Sequence, residues 1–207
     1  MSMTTLWDSW VNTAAQQRFS FYAWQDRLSV SGRMGLALAG AAFIGLCAQV
    51  AVPLPFTPVP LTLQTFAVAG VAVALGWNWG ALAAALYVGL AALGMPWLIG
   101  AKGGLAALAG PTGGYLCGFL LMAAALGRFA QNPARCRWLP MWAALFTADM
   151  LLILLPGALW LWVWFGAAGH PIAFADALGK GFFPFVAADL LKSALAAVAV
   201  GWLGRKE

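Results

Sequence analysis

Charge is what this sequence has least of. Only 8% of its 207 residues are Asp, Glu, Lys or Arg, against roughly 25% in an ordinary soluble domain, so no water-soluble surface can be built from it. Histidine occurs once and cysteine three times. Cys47, Cys117 and Cys136 are odd in number and unclustered, which argues against a disulfide framework and against a C-x-x-C zinc signature. His170 stands beside Pro171 in a loop, without a carboxylate at metal-ligand spacing, so an enzyme has neither a metal cluster nor an activated nucleophile to use. The pattern G-x-x-x-x-G-K-[ST] is missing, so there is no Walker A phosphate cradle and any energy source lies in another chain. Net charge is +5, but the bases are scattered at the ends of apolar runs, a pattern that orients a membrane protein and offers nucleic acid no face. No cofactor and no metal are expected.

Apolar residues fill the space that charge leaves: 63% of the chain is hydrophobic, with 12 tryptophans and 13 phenylalanines. A bilayer core about 30 Å thick takes roughly 20 apolar residues per helical span. Six such runs can be drawn, over about 34–52, 61–77, 81–99, 115–129, 139–168 and 182–203. The expected fold is therefore an all-α integral membrane protein, a bundle of six transmembrane helices. Residues 1–33 carry Asp8, Arg18, Asp26, Arg27 and Arg33 among Trp7, Trp10, Phe19, Phe21, Tyr22 and Trp24. That mixture is too polar to span, too aromatic for a free tail, and unlike a cleavable signal peptide; an interfacial segment is expected there and a membrane domain over 34–204.

Punctuation is clear between the runs. Pro53, Pro55, Pro58 and Pro60 end the first helix, because each ring removes a donor and biases the residue before it away from helix. Gly76 to Gly80, with Asn78 between two tryptophans, predicts a tight turn at headgroup level. Gly100 to Gly114 is a glycine-rich loop, tolerated at membrane depth only where protein or a water-filled cavity satisfies its backbone. Pro156-Gly157 predicts a kink in the fifth helix. Arg18, Arg27, Arg33, Arg128, Arg135, Arg137, Arg205 and Lys206 fall on one side of a six-span topology and only Lys102 and Lys180 on the other, so both termini are expected in the cytoplasm.

Two charges stand inside the last run. Asp189 and Lys192 are three residues apart and share a helix face. A charge at the centre of a membrane helix costs about 2.5–3.5 kcal/mol on insertion scales, so the two must meet each other or a polar ligand. A buried ligand and a structural ion pair both satisfy that requirement. Asp149 in the fifth run is a second candidate, as ligand contact or as hydrogen-bonded core group. Gln64, one turn below the Pro-rich loop, has an amide that both donates and accepts. Tyr87, Tyr115, Trp97 and Trp160 are candidate walls. Gly114-x-x-x-Gly118 and Ala37-x-x-x-Ala41 place small residues one turn apart and permit close helix approach.

Three segments together resemble one family. Val52-Pro-Leu-Pro-Phe-Thr-Pro-Val-Pro-Leu-Thr-Leu-Gln64-Thr65 resembles the BioY signature in which a Pro-rich loop leads into a T-L-Q helix start. Tyr87, Gly94, Pro96, Gly103-Gly104 and Gly110-Pro-Thr-Gly-Gly-Tyr-Leu116 resemble its central signature, and Pro184-Phe185 followed by Asp189 and Lys192 resembles its closing P-F-x-x-x-D-x-x-K. Val186-Ala187-Ala188 stands where the family more often has Pro-Gly, so an earlier, straighter helix start is expected. The resemblance implies the biotin-binding S component of an energy-coupling factor transporter, working with a transmembrane coupling protein and two ABC-type ATPases. It implies that Asp189 and Lys192 contact biotin, that Gln64, Tyr87, Tyr115, Thr112 and the glycine-rich loop complete the pocket, and that Ala37 and Ala41 dock the coupling protein. Two other readings remain open: an S component for another small vitamin, and a structural membrane subunit without ligand. A homo-oligomer is compatible with either.

Overall fold

Proline and glycine decide where this apolar chain turns, and the computed structural model, which describes residues 21–132 and 138–202, follows them closely. Residues 21–27 are helical. Helix α1 (Val30–Gln49) starts at Ser29, whose hydroxyl accepts from the Gly32 N–H at 3.2 Å and so satisfies one of the free donors of the first turn. It stops before the proline cluster, which is closed off by a two-residue antiparallel clip: β1 (Ala51–Val52) pairs with β2 (Leu61–Thr62), Ala51 facing Thr62. The sequence reading did not anticipate that clip.

The next helical run, α2 (Gln64–Ala92), is a hairpin. At Gly76 the backbone takes φ 76°, ψ −177°, a conformation open to glycine and strained for an L side chain. The Gln64 and Tyr87 side chains, 23 residues apart, are hydrogen-bonded at 2.7 Å; along one straight helix they would stand about 35 Å apart, at 1.5 Å per residue. The second and third predicted spans are thus the two arms of α2, with a one-residue reversal where a turn over Gly76–Gly80 is expected. The second arm ends at Ala92, seven residues short of the predicted Ile99, because Gly94 (φ 104°) turns the chain into the loop.

A single turn, α3 (Leu105–Leu108), sits in the glycine-rich loop, and α4 (Gly113–Ala130) follows it into the centre of the bundle. Its glycines let backbones touch. A Cβ on Gly118 would lie 2.3 Å from the Leu152 carbonyl oxygen, and one on Gly127 2.6 Å from the backbone at Gly76. Helix α5 (Trp138–Ala148) runs into a π-helical turn over Asp149–Leu154 and continues as α6 (Leu155–Ala167). Pro156 cannot donate, so the widened register occupies the turn just before it. The irregularity expected at Pro156-Gly157 therefore falls one turn earlier.

An amphipathic α7 (Phe174–Gly181) precedes α8 (Phe183–Trp202), and Phe182 breaks the two. Among the described residues five helical runs are long and apolar enough to cross a membrane; with α2 folded at Gly76 they form the expected six-rod bundle. Its outside is apolar, with Leu46, Leu93, Leu105, Val163 and Leu191 all more than half exposed. A soluble protein does not carry such a belt. The Gly76 end of the first α2 arm is capped by the segment 21–27: the Gln25 amide donates to the Ala74 carbonyl at 2.9 Å and the Tyr22 hydroxyl to that of Val73. Those carbonyls lost their helical partners when the chain reversed.

Candidate functional site

Between the Pro-rich loop, the glycine-rich loop and the rods lies a cavity of about 390 Å³, within the ~300–1,000 Å³ usual for small-molecule sites. Its floor is polar. Lys192 forms an ion pair with Asp189 and donates to the Thr62 carbonyl at 2.9 Å and the Thr65 hydroxyl at 3.2 Å. The Asp189 side chain is 2% exposed and that of Lys192 13%. Both line the cavity. The closing-motif spacing carries this pair: three residues on α8 put the acid and the base on one face, opposite the first turn of α2.

Gln64 stands at that first turn and is buried. Its amide nitrogen donates to the Tyr87 hydroxyl at 2.7 Å, and its amide oxygen accepts from the Thr62 hydroxyl at 3.2 Å. A primary amide has two donors and two acceptor positions, so one donor and one lone pair remain for a guest. Tyr87, fully buried, passes its own proton toward the Trp97 carbonyl at 3.4 Å. Tyr115 also lines the cavity, but its hydroxyl donates to the Gly181 carbonyl at 2.6 Å. It offers the ring to the cavity while its polar end ties α4 to α7. Thr112 lines the same wall at the start of α4, beside Gly110 and Pro111.

Not every expected residue is there. Asp149 is buried but does not line the cavity; it stands beneath the floor in a small crevice shared with Asp189, Lys192, Thr65 and Ser193. One of its carboxylate oxygens has no hydrogen-bond partner. Its carboxyl is taken up in that crevice, beside Asp189 and Ser193, rather than in the cavity wall. Trp97 and Trp160 are not walls. Trp97 packs on Gly45 of α1, and Trp160 lies over Gly114 and donates to the Gly110 carbonyl at 2.8 Å.

Ala37 and Ala41 are fully buried. They share a face with Gly40, whose nearest neighbours are Val71 and Ala83 on the two arms of α2. The small-residue stripe is used inside the chain, so the surface expected to dock a coupling protein is not exposed there. Lys102 lines the cavity from the glycine-rich loop; not singled out from the sequence are Thr65 and, among the apolar residues, Val59, Leu98, Phe119, Ile153 and Phe185. Thr65, Val59 and Phe185 carried one available signal, their place in the quoted motifs; Leu98, Phe119 and Ile153 carried none in a chain this rich in apolar residues. No cluster able to hold a metal ion occurs among the described residues. Cys47 and Cys117 are free thiols, and Cys136 lies outside the described residues.

Comparison with known proteins agrees with this architecture. Residues 17–205 match the BioY family. The "Biotin transporter BioY" of Thermotoga maritima is 40% identical over 147 residues, covering 71% of this chain and 82% of that protein. The "Biotin transporter BioY2" of Lactococcus lactis subsp. cremoris is 32% identical over 163 residues, covering 79% and 85%. A crystal structure of the S-component for biotin from an ECF-type ABC transporter superposes with a TM-score of 0.74 at 24% identity, covering 87% of this chain and 96% of that one. On the match of nearly its whole length, this six-rod membrane protein belongs to the BioY family.

Proposed function

We propose that the chain is a biotin-binding S component of an energy-coupling factor transporter, taking up the vitamin without bond chemistry. The relatives named for biotin transport support the ligand. The observation that carries the reading is the placement of Asp189 and Lys192. They form the largely buried polar floor of the cavity, and the amide of Gln64 beside them keeps one donor and one acceptor position unused. A ureido ring presents N–H donors beside a carbonyl. Those groups match the Asp189 carboxylate and the free half of the Gln64 amide, while Tyr87, Tyr115, Thr112 and Phe119 enclose the apolar bicycle.

The remaining assignments follow from the same reading. The protein works with a transmembrane coupling protein and two ABC-type ATPases in the cell (inner) membrane, with residues 1–33 at the interface and 34–204 forming the membrane domain. Charge segregation supports cytoplasmic termini. Arg27 and Arg33 lie near the helix end capped by Gln25, and Arg128 stacks over Trp77 at 5.9 Å near that same end. Lys102 and Lys180 lie at the loops of the other end. Arg18, Arg135, Arg137, Arg205 and Lys206, which belong to the same expected inner set, lie outside the described residues. Asp149 acts from beneath the floor, through Asp189.

The direct test is equilibrium binding of biotin, riboflavin and thiamine to the purified chain and to Asp189→Asn. The proposal requires saturable binding of biotin alone and its loss in the variant. Equal affinity in both proteins would mean that the floor is not the site.

A further inference from the structure

The chain has six acidic residues, and two of them, Asp149 and Asp189, share the crevice beneath the cavity floor with a single cation, Lys192. Asp149, 4% exposed, needs donors there and finds none free. An ionised carboxylate only accepts, whereas an ammonium has three N–H groups to give. Those of Lys192 go to the Asp189 carboxylate, the Thr62 carbonyl and the Thr65 hydroxyl. The Thr65 hydroxyl donates to Asp189 at 3.4 Å, and that of Ser193 to the Leu190 carbonyl on its own helix at 2.9 Å. The side chains of Phe66, Ala69, Met122, Leu145 and Ala196 complete the crevice and have no donor. Oδ1 of Asp149 accordingly lacks a partner. At about 10 Å³ the crevice is at the bottom of the room that one water needs, so solvent does not make up the deficit.

An ionised Asp149 would thus be a second buried anion set against one ammonium that is already claimed, and two neighbouring carboxyls in such a place do not both ionise. A neutral Asp149 removes both problems. Its O–H makes the residue a donor, and the Asp189 carboxylate stands within side-chain hydrogen-bonding reach to accept it. Asp189 is the member that keeps its charge, because Lys192 and Thr65 both donate to it. Two carboxyls, one ammonium and one proton then leave the floor electrically neutral.

We propose that Asp149 holds a proton and donates it to Asp189, as a positioning residue that fixes the Asp189 carboxylate from below and leaves its other lone pairs to the ligand. The role in binding rests on the biotin-binding reading; the proton does not. Infrared spectroscopy of the full chain in detergent reads the proton without any ligand. At neutral pH exposed carboxyls are ionised, so one dry, un-ionised carboxyl gives an isolated C=O stretching band that shifts in D₂O. The wild type should show that band and Asp149→Asn should lack it.

Equilibrium binding of biotin reads the positioning. Asparagine has the shape of the neutral acid and an N–H where the acid has its O–H, so Asp149→Asn should bind biotin as tightly as the wild type. Leucine is of similar size and has no donor; Asp149→Leu should bind roughly ten- to a hundredfold more weakly, the worth of one hydrogen bond to a charged group. No such band in the wild type, a band that survives in Asp149→Asn, or equal affinity of the two variants would each overturn the proposal while leaving a biotin site in place. Absence of biotin binding to the wild type would overturn the biotin reading and the positioning role together, and the band would still decide the proton.

Discussion

Replacing Lys192 by methionine keeps the length of the side chain and removes its charge together with three donors. Asp189 then remains as a carboxylate 2% exposed, with the Thr65 hydroxyl at 3.4 Å as its neighbour, and the Thr62 carbonyl loses a donor at 2.9 Å. Breaking a buried pair by deleting one partner costs about 3–5 kcal/mol, because a charge is left unpaired in a low dielectric. For a chain of this size that corresponds to a fall in Tm of about 6–20 °C at ~2–4 °C per kcal/mol. Adding Asp189→Asn to Lys192→Met removes the stranded charge, so the double variant should recover most of the loss although it has lost both members of the pair. Thermal unfolding in one detergent, followed by tryptophan fluorescence, reads all four corners of the cycle. Additive losses from the two single changes would refute the claim that the pair is buried and coupled. The same four proteins separate a helix staple from a ligand floor: a mere staple regains all function in the double variant, whereas a floor that holds biotin through Asp189 stays impaired.

Three further outcomes follow from contacts described above. Gly157→Ala places a Cβ 2.2 Å from the Tyr115 ring, which should cost about 1–3 kcal/mol of overpacking and weaken the hydroxyl bond to Gly181; a lower Tm checks it. Gly76→Ala forces an L side chain into φ 76° with its Cβ 2.7 Å from the Gln131 amide nitrogen, at a cost of about 1–2 kcal/mol for the left-handed conformation alone, read in the same assay. Gln64→Leu removes the floor amide and its hydrogen bond to the Tyr87 hydroxyl, so biotin affinity should fall roughly two- to tenfold for each hydrogen bond lost, at about 0.5–1.5 kcal/mol apiece for neutral groups. An unchanged Kd would remove Gln64 from the site.

Helix number, the Pro-rich loop and the floor were legible in the sequence because each depends on a residue type that is rare in this chain. A lysine and an aspartate one turn apart in an apolar run have few places to go, and four prolines in eight residues admit no helix. The direction in which α1 faces was not legible. A helix apolar all round has no stripe to tell protein from lipid, so Ala37 and Ala41 could be read outward when they pack inward. Aromatic abundance hid Trp97 and Trp160 in the same way, since an indole packs equally well on a glycine or in a cavity wall. The π-helical turn under Asp149 is a matter of hydrogen-bond register, on which hydropathy is silent; Pro156 was its one trace. Lys102 was visible as a loop base, but its place on the cavity lining depends on a turn whose left-handed Ala101 no propensity foretells.

The cap that Tyr22 and Gln25 place on the bend of α2 has a mechanical corollary. From Gln64 to Leu75 the first arm is twelve residues, a rod about 18 Å long; one tip is tethered to the stretch preceding α1, the other carries the Gln64 amide on the cavity lining. Rods of that kind transmit displacement with little loss. Whatever presses on residues 21–27 therefore presses, at one remove, on the polar end of the cavity.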